Sequence, residues 1–235
     1  MIHKKSILAR NRVLSMVMAI GMIIALLIPM IAAMAEETTA APAPATEAIT
    51  ATGSKPVLTM ATSADFAPYE YKEGEGFAGI DIEIAQAIAD KLGMELQIVD
   101  IAFDSVIAGV VTGKYDMGVS GLTMTPERAQ TVNFTDPYAN AVQTVIVKED
   151  SDIQSADDFY NLDAEGNPVS TKEGLMVGVQ TSTTGDIYIS DTVENGGVGE
   201  DHRIQYKTGA DAVQALSTGK VQAVVIDNEP AKNFV

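Results

Sequence analysis

The sequence predicts an α/β fold of two lobes, in which mainly parallel sheets carry helices on both faces. Short apolar segments alternate with segments whose apolar residues recur every three to four positions, the pattern of strands followed by helices. This alternation runs through two successive series that divide near Val147. Because strands that alternate with helices form parallel sheets covered on both faces, each series predicts one lobe.

The first series begins at Val57 and has a strand at each end. In chain order it contains the strand Val57–Met60, a helix within Gly79–Leu92, the strand Leu96–Val99, a helix over Val106–Val111, the strand Met117–Val119, a short helix from Pro126 and the strand Ala141–Val147. Gly93 and Gly113 are placed to end the first two helices, because glycine readily adopts the left-handed conformation found there. Asp104 and Thr125 are the candidate N-caps of the second and third helices.

The second series is shorter and ends close to the last residue. Its elements are the strand Leu175–Val179, the helix Thr184–Ile189, the strand Ile204–Tyr206, the helix Ala210–Leu216 and the strand Ala223–Ile226. In parallel sheets of this kind, ligands bind beyond the carboxyl ends of the strands. The residues that follow each strand are therefore the candidates for a functional site.

The first 35 residues have the order of an export signal. Lys4, Lys5, Arg10 and Arg12 precede the apolar run 13–33, and small residues then predict cleavage after residue 35. The alternative is an uncleaved membrane anchor, because the run approaches the ~20 residues that span a bilayer. Residues 36–56 are rich in Ala, Thr, Pro and Glu, which predicts a disordered linker. We expect a periplasmic or cell-surface protein.

The composition excludes several classes of function. The chain of 235 residues has 15 basic and 32 acidic residues, a formal net charge of −17, and its acidity repels nucleic acid. It has no Cys, so disulfides, thiolate metal sites, cysteine nucleophiles and a lipid anchor on an N-terminal cysteine are excluded. The two His residues lie far apart, and neither a calcium loop nor a phosphate-binding glycine loop occurs. We therefore expect no metal and no cofactor.

The residues after the predicted strands suit a zwitterion. They include one cation, Arg128, one anion, Asp227, several hydroxyls and two rings, Phe66 and Phe103. A carboxylate is bound best by a forked guanidinium, an ammonium by a carboxylate, and an aliphatic or amide group between aromatic rings. Each residue also has an ordinary explanation: Arg128 as a solvated charge, Asp227 as a helix cap, and the rings as core residues. Their joint placement favours a free α-amino acid.

Three motifs stand out within residues 57–230: Gly79–Gly93, Phe103–Val110, and Gly121–Arg128 followed by Val132–Tyr138. Their residues, order and spacing resemble the polar amino-acid family of periplasmic solute-binding proteins that serve ABC importers. The resemblance implies the type 2 periplasmic-binding fold, with lobes over 57–147 and 148–235 that close on the ligand by a hinge. It implies capture of an amino acid for a membrane permease, without catalysis.

The resemblance also implies which residues bind the ligand. They are Arg128 for the α-carboxylate, assisted by the Gly121 backbone and the Thr123 hydroxyl; Thr183 and Thr184 for a second carboxylate contact; Asp227 for the α-ammonium; Phe66 and Phe103 around the side chain; and Ser63 and Gln180 at its end. Asp81 and Glu83 belong to the first motif and are interpreted as solvated or structural. Because Ser63 and Gln180 are neutral, we expect an uncharged polar ligand side chain such as that of glutamine. An inward turn of Asp65 would instead admit lysine or arginine.

Two features depart from the family pattern. Residues 161–172 lengthen a turn and are expected to form a surface loop. The sequence stops at Val235, before the return to the first lobe that the family normally makes, so we expect a truncated C-terminus.

Two other classes of function remain open on sequence grounds. One is the sensing domain of a receptor or histidine kinase. The other is an enzyme on the same fold, such as a cyclohexadienyl dehydratase that processes prephenate, because fold alone does not fix function. An enzyme would need a general acid in the cleft, and its candidates in the first lobe are Asp65 and Glu70.

Overall fold

The computed structural model describes residues 54–235. The predicted export signal, 1–35, and nearly all of the predicted linker, 36–56, lie outside the described residues. Among the helices of residues 54–235, none combines the length and the apolar composition needed to cross a bilayer.

The described chain alternates strands and helices as predicted. The strands are β1 (Val57–Thr62), β2 (Asp65–Phe66), β3 (Glu70–Glu73), β4 (Gly76–Ala78), β5 (Glu95–Asp100), β6 (Met117–Gly118), β7 (Gln143–Ile146), β8 (Tyr160–Leu162), β9 (Pro168–Thr171), β10 (Val177–Gln180), β11 (Arg203–Tyr206) and β12 (Ala223–Asp227). The α-helices are α1 (Ile80–Leu92), α2 (Val106–Val111), α3 (Thr184–Ser190), α4 (Gly209–Ser217) and α5 (Asn228–Ala231). Short 3-10 turns occupy Phe103–Ser105, Arg128–Gln130, Ala156–Phe159, Val193–Asn195 and Glu200–His202.

The first sheet is parallel and has the strand order β5-β1-β6. The central strand β1 is paired on both sides, and Met60 and Ala61 within it are fully buried. Ala61 packs with Val106 of α2 and with Tyr115 just before β6. The carboxyl ends of β1 and β6 consequently lie next to each other at one edge.

The second sheet has the order β11-β10-β12-β7, in which only β7 is antiparallel. Successive residues of β12 serve opposite faces, as the pleat of a strand requires. Val225 packs in the cluster that contains Ile189 of α3, whereas Val224 packs in the cluster that contains Leu216 of α4. Helices therefore cover both faces of this sheet, and the predicted α/β fold is confirmed.

The strand β7 is hydrogen-bonded to the second sheet. Its residues pair with β12, from Gln143 opposite Asp227 to Ile146 opposite Val224. The predicted lobe boundaries, 57–147 and 148–235, assign this strand to the first lobe. The division into lobes stays a prediction, but the hydrogen bonds of β7 join it to the second sheet.

Two small antiparallel sheets were not expected from the sequence. Strands β2, β3 and β4 form a meander directly after β1. Strands β8 and β9 form a hairpin where the sequence predicted a surface loop over 161–172, and Asp163 closes its turn by accepting a hydrogen bond from the amide of Asn167 at 2.8 Å. The strands of both sheets are only two to four residues long, too short to show an alternating pattern.

The helix ends follow the predictions in part. Gly93 ends α1 in the left-handed conformation, as expected, with φ of 69°. The Oγ1 of Thr125 accepts from the amide of Arg128 at 3.2 Å, but the element that follows is a 3-10 turn over Arg128–Gln130 whose N-cap position is Glu127. The prediction for Asp104 is wrong: Asp104 lies inside the 3-10 turn that precedes α2, and Ser105 occupies the N-cap position.

Helix α1 begins where the chain passes very close to the segment that follows β2. The amide of Ile80 donates to the carbonyl of Pro68 at 3.1 Å, and that of Asp81 to the carbonyl of Tyr69 at 2.9 Å. These bonds satisfy amides at the helix start that have no partner within the helix. The approach requires Gly79, whose φ is 122° and whose absent Cβ would overlap the Tyr69 carbonyl.

Gly79→Ala is expected to lower the free energy of unfolding by more than about 3 kcal/mol, because strain at this φ adds to overlap with fixed backbone. Chemical denaturation measures the change. Gly76→Ala is the control, since its Cβ would meet nothing closer than 3.8 Å, and it should cost less than about 1 kcal/mol. Equal losses in the two variants would contradict this account of Gly79.

Candidate functional site

Most of the predicted ligand-binding residues line one small cavity between the two parallel sheets. The wall consists of Ser63, Asp65, Phe66, Glu70, Phe103, Gly121, Gln180, Thr183, Thr184 and Asp227. Its free volume is about 10 Å³, which is room for about one water molecule. The two walls therefore lie almost in contact. Of the ten predicted residues, only Thr123 and Arg128 are outside this wall.

A second, wider cavity of about 340 Å³ adjoins the first. It shares Phe66, Gly121 and Asp227 with the small cavity, and Thr123 also lines it. Its remaining wall is formed largely by the segment 134–141, which leads into β7. The two cavities are thus neighbouring parts of one cleft.

Arg128 reaches across the cleft from its 3-10 turn. Its Nη1 donates to the carbonyl of Thr123 at 2.7 Å, and its Nη2 donates to the carbonyl of Ser182, on the other side, at 2.8 Å. The guanidinium also lies 5.6 Å from the ring centroid of Phe103. Partial burial lowers the pKa of Arg128, but an arginine keeps its charge in proteins. With five N–H donors, the guanidinium retains capacity for a further anionic partner.

Asp227 ends β12 and is oriented by Gln143 on the facing strand. Gln143 Nε2 donates to Asp227 Oδ1 at 2.9 Å, as their opposed positions in the ladder allow. Burial raises the pKa of Asp227, and the hydrogen bond from Gln143 opposes that rise. None of the ion pairs formed among residues 54–235 includes Asp227. Although it precedes α5, its side chain makes no capping hydrogen bond.

Gly121 lies at the base of the cavity with φ of 53°, and Phe66 packs against its α-carbon. Its amide donates to Asp81 Oδ2 at 2.7 Å, so it is already occupied. The prediction that the Gly121 backbone helps to bind an α-carboxylate stays a prediction, and in this structure the amide it would use is bonded to Asp81. Asp81 is fully buried, which confirms the structural interpretation and excludes the solvated one, whereas Glu83 is exposed.

The opposite wall is held by α3 and by a buried carboxylate that the sequence analysis missed. Thr183 caps α3, its Oγ1 accepting from the amide of Asp186 and donating to the carbonyl of Gln180 at 2.8 Å. Asp186 Oδ2 accepts from the amide of Ser182 at 2.7 Å and its Oδ1 accepts from Arg203 Nη1 at 2.8 Å. This carboxylate fixes Ser182 in a left-handed conformation with φ of 64°, which presents its carbonyl to Arg128.

The end of the cavity is rich in hydrogen-bond acceptors. Ser63 Oγ donates to Asp65 Oδ1 at 3.2 Å, and Gln180 Nε2 donates to the carbonyl of Lys207 at 3.2 Å. These bonds use donor capacity of Ser63 and Gln180 and leave Gln180 Oε1 and the Asp65 carboxylate available. The site can therefore accept hydrogen bonds from cationic or amide groups. Among the described residues, no group of three or more His, Cys, Asp or Glu is arranged to hold a metal ion.

Comparison with known proteins identifies relatives over most of the described chain. Residues 58–223 match the family model of bacterial extracellular solute-binding proteins, family 3. The chain is 33% identical over 197 residues to the arginine-binding extracellular protein ArtP of Bacillus subtilis, covering 80% of this chain and 71% of that protein. It spans only 60–62% of the length of three other curated relatives.

Solved structures with the same fold include two ancestral proteins at more than 30% sequence identity. An ancestral arginine-binding protein bound to glutamine is 33% identical, with a TM-score of 0.64 and coverage of 78% of this chain and 74% of that one. The ancestral amino acid-binding protein AncCDT-1, a precursor of cyclohexadienyl dehydratase, is 32% identical, with a TM-score of 0.64 and coverage of 76% and 73%. These likenesses confirm the periplasmic-binding fold.

Asp186→Ala is expected to lower the free energy of unfolding by about 3 kcal/mol or more. The change leaves Arg203, which is 17% exposed, without its buried partner and also frees the Ser182 amide. Glu200→Ala is the matched control, because Glu200 is 78% exposed and lies 3.8 Å from the same guanidinium, so it should cost less than about 1 kcal/mol. Urea denaturation of both variants tests the difference, and a small loss for Asp186→Ala would refute its role.

Proposed function

The chain belongs to family 3 of the bacterial extracellular solute-binding proteins, and we propose that it captures a free amino acid outside the cytoplasmic membrane and delivers it to the permease of an ABC importer. The observation that carries the proposal is the presence of a cation and an anion at one cleft: Arg128 spans it from the carbonyl of Thr123 to that of Ser182, and Asp227 lines its wall. The first offers a forked cation and the second a half-buried carboxylate without a cationic partner among the described residues. An α-amino acid supplies both missing charges.

The energetics of burial favour a zwitterionic ligand. A buried carboxylate without a counter-charge is costly, and the raised pKa of Asp227 reflects that cost. An ammonium beside Asp227 would relieve it. A carboxylate placed near Arg128 would receive forked, charge-assisted hydrogen bonds. Uncharged solutes would satisfy neither group.

Entry of an amino acid into the small cavity requires the two walls to separate. The small cavity holds about one water molecule, and Arg128 bonds to the carbonyl of Ser182 across it. We therefore propose that the ligand enters an open form and that the lobes then close around it by a hinge. Closure is favoured because the closed form contacts the ligand from both sides.

The acceptor-rich end of the cavity supports a cationic side chain. The sequence alone favoured a neutral side chain such as that of glutamine, because Ser63 and Gln180 are uncharged. With Asp65 in the same wall and Gln180 offering its Oε1, a guanidinium or ammonium finds both charge and acceptors. We propose arginine as the preferred ligand, the amino acid that ArtP is named for binding. Glutamine is the second candidate, since its amide group can donate to the same acceptors.

An enzymatic role has less support from the geometry. Asp65 and Glu70 both line the cavity, as an acid catalyst would. However, Glu70 is fully buried and its Oε1 accepts from Ser120 Oγ at 2.8 Å, so it faces other protein groups. The relatives include AncCDT-1, a precursor of cyclohexadienyl dehydratase, but AncCDT-1 is itself an amino acid-binding protein. Formation of phenylpyruvate from added prephenate would establish the enzymatic alternative.

Arg128→Ala is expected to weaken amino-acid binding by about a thousandfold, or roughly 4 kcal/mol, because the ligand carboxylate loses its forked partner on closure. Isothermal titration calorimetry with arginine measures the loss. Lys114→Ala, which removes an exposed cation from the same lobe, should bind within about twofold of the wild type. Affinity retained within a few-fold in Arg128→Ala would refute the proposed carboxylate site.

The side-chain preference is tested separately through Asp65. Asp65→Asn is expected to weaken arginine binding about tenfold or more and to leave glutamine binding within about threefold, because only arginine loses a charge partner. Calorimetry with both amino acids gives the two ratios. If the wild type bound glutamine more tightly than arginine, the prediction of an uncharged polar ligand side chain would stand. The roles proposed for Arg128 and Asp227 would be unaffected.

A further inference from the structure

Two acidic side chains are buried together beneath the Gly121 loop, where the proposed ligand contacts do not use them. Glu70 belongs to β3 and Asp81 to the first turn of α1, and both are 0% exposed. Acidic groups are rarely fully buried unless they are paired. Their hydrogen-bond partners therefore need a full account.

Asp81 receives hydrogen bonds at both of its oxygens. Its Oδ2 accepts from the amide of Gly121 at 2.7 Å, and its Oδ1 accepts from the hydroxyl of Tyr138 at 2.8 Å. Each oxygen of this carboxyl therefore has a hydrogen-bond donor. Asp81 thereby links the Gly121 loop to the segment 134–141, which forms the far wall of the wider cavity.

Glu70 is satisfied on one side only. Its Oε1 accepts from Ser120 Oγ at 2.8 Å, and that same hydroxyl oxygen accepts from the amide of Ser63 at 2.9 Å. Its Oε2 is buried and receives no hydrogen bond. The carboxyl of Asp81 is its neighbour, because the consecutive residues Ser120 and Gly121 donate to Glu70 and to Asp81 respectively. An ionised Glu70 would thus face another anion in a dry environment. A protonated Glu70 would instead donate to it.

The groups around Glu70 favour the protonated form. Asp81 and Asp65 are anionic neighbours, while Tyr69 and Tyr138 pack close by and are neutral. No ion pair within residues 54–235 involves Glu70 or Asp81. Burial, followed by the charge of Asp81, raises the pKa of Glu70 to about 10, against the opposing effect of the Ser120 hydrogen bond. Two adjacent carboxyls that cannot both ionise share one proton.

We propose that Glu70 and Asp81 share a single proton beneath the cleft and that this pair positions the Gly121 loop for ligand binding. The inference rests on the proposed amino-acid-binding function. Asp81 holds Gly121 by its amide, and Gly121 lines the cleft. Thr123, two residues after Gly121, accepts a hydrogen bond at its carbonyl from Arg128 Nη1 at 2.7 Å. Displacement of the loop would therefore move both Gly121 and the Arg128 donor.

The two carboxyls have different roles, which isosteric variants separate. In Glu70→Gln, the amide keeps an oxygen for Ser120 and a donor for Asp81, so arginine affinity should fall less than in Asp81→Asn. In Asp81→Asn, one of the two positions that accept from Gly121 and Tyr138 becomes a donor, so binding should weaken about tenfold or more. Glu83→Gln is the matched control, because it neutralises an exposed acid in the same helical turn. It should bind arginine as the wild type does.

Stability as a function of pH identifies the carboxyl that holds the proton. Unfolded Glu70 ionises near its ordinary pKa of 4.5, whereas folded Glu70 ionises at about 10. As pH rises between these values, the wild type loses stability that Glu70→Gln does not lose. The Tm of Glu70→Gln minus that of the wild type should therefore grow by at least about 4 °C from pH 5 to pH 9. Glu83→Gln should show no such trend.

An infrared difference spectrum of the wild type minus Glu70→Gln at pH 8 provides a direct signature. We expect this spectrum to contain the carbonyl band of a protonated carboxylic acid. Unlike the Tm comparison, the measurement does not require the protein to unfold. Absence of that band, a Tm difference independent of pH, or unchanged arginine affinity in Asp81→Asn would each overturn the proposal. Failure of the wild type to bind any amino acid would instead refute the proposed function, and the infrared and Tm results would still decide whether the proton is shared.

Discussion

The hydrogen bond between the Gly121 amide and the buried Asp81 carboxylate fixes the loop on which the first wall of the cleft depends. Parallel strands bring the ends of β1 and β6 to one edge, but this alone does not set the direction of the loops that follow. Asp81 adds that direction, because it lies in a helix whose start is itself bonded to the chain after β2. The close approach at Gly79 therefore helps to position the Gly121 loop, although Gly79 lies far from Gly121 in sequence.

The second wall is built on the same principle with different residues. In each wall a buried carboxylate accepts a backbone amide from a residue in the left-handed conformation: Asp81 from Gly121, with φ of 53°, and Asp186 from Ser182, with φ of 64°. The two carboxylates have different partners. Asp186 forms an ion pair with Arg203, whereas Asp81 accepts from neutral donors and lies beside Glu70, which we propose is protonated. Arg128 bonds to carbonyls on both sides and connects these two rigid loops. A ligand carboxylate at Arg128 would meet a donor whose position is set by both walls.

The sequence predicted the alternation of strands and helices and most of the cavity wall, because apolar period and strand ends are local signals. The β2–β4 meander and the β8–β9 hairpin escaped prediction, since strands of two to four residues carry no readable period. Asp104 was predicted to be an N-cap because aspartate is common at that position. The residue type does not reveal that a 3-10 turn replaces the expected start of the helix. Asp81, Asp186 and Gln143 were missed as site-building residues for another reason. Asp81 and Gln143 have partners 40 and 84 positions away, Asp186 has an Arg partner 17 positions away, and only the tertiary fold brings these groups together.

The protonation of Glu70 bears on which ligand the cleft can hold. The ionisable groups at the cavity are the carboxyls of Asp65, Glu70 and Asp227, together with the guanidinium of Arg128 beside it. With Glu70 neutral, two negative charges face one positive charge, and the carboxylate of Asp81 lies directly behind. Arginine, with one net positive charge, would balance the groups that line the cavity, whereas glutamine would leave them one negative charge in excess. An unbalanced charge costs more where water is excluded. The advantage of arginine over glutamine would therefore act mainly in the closed form. A proton on Glu70 would thus limit the negative charge of the groups that line the cavity to what Arg128 and one cationic amino acid can neutralise.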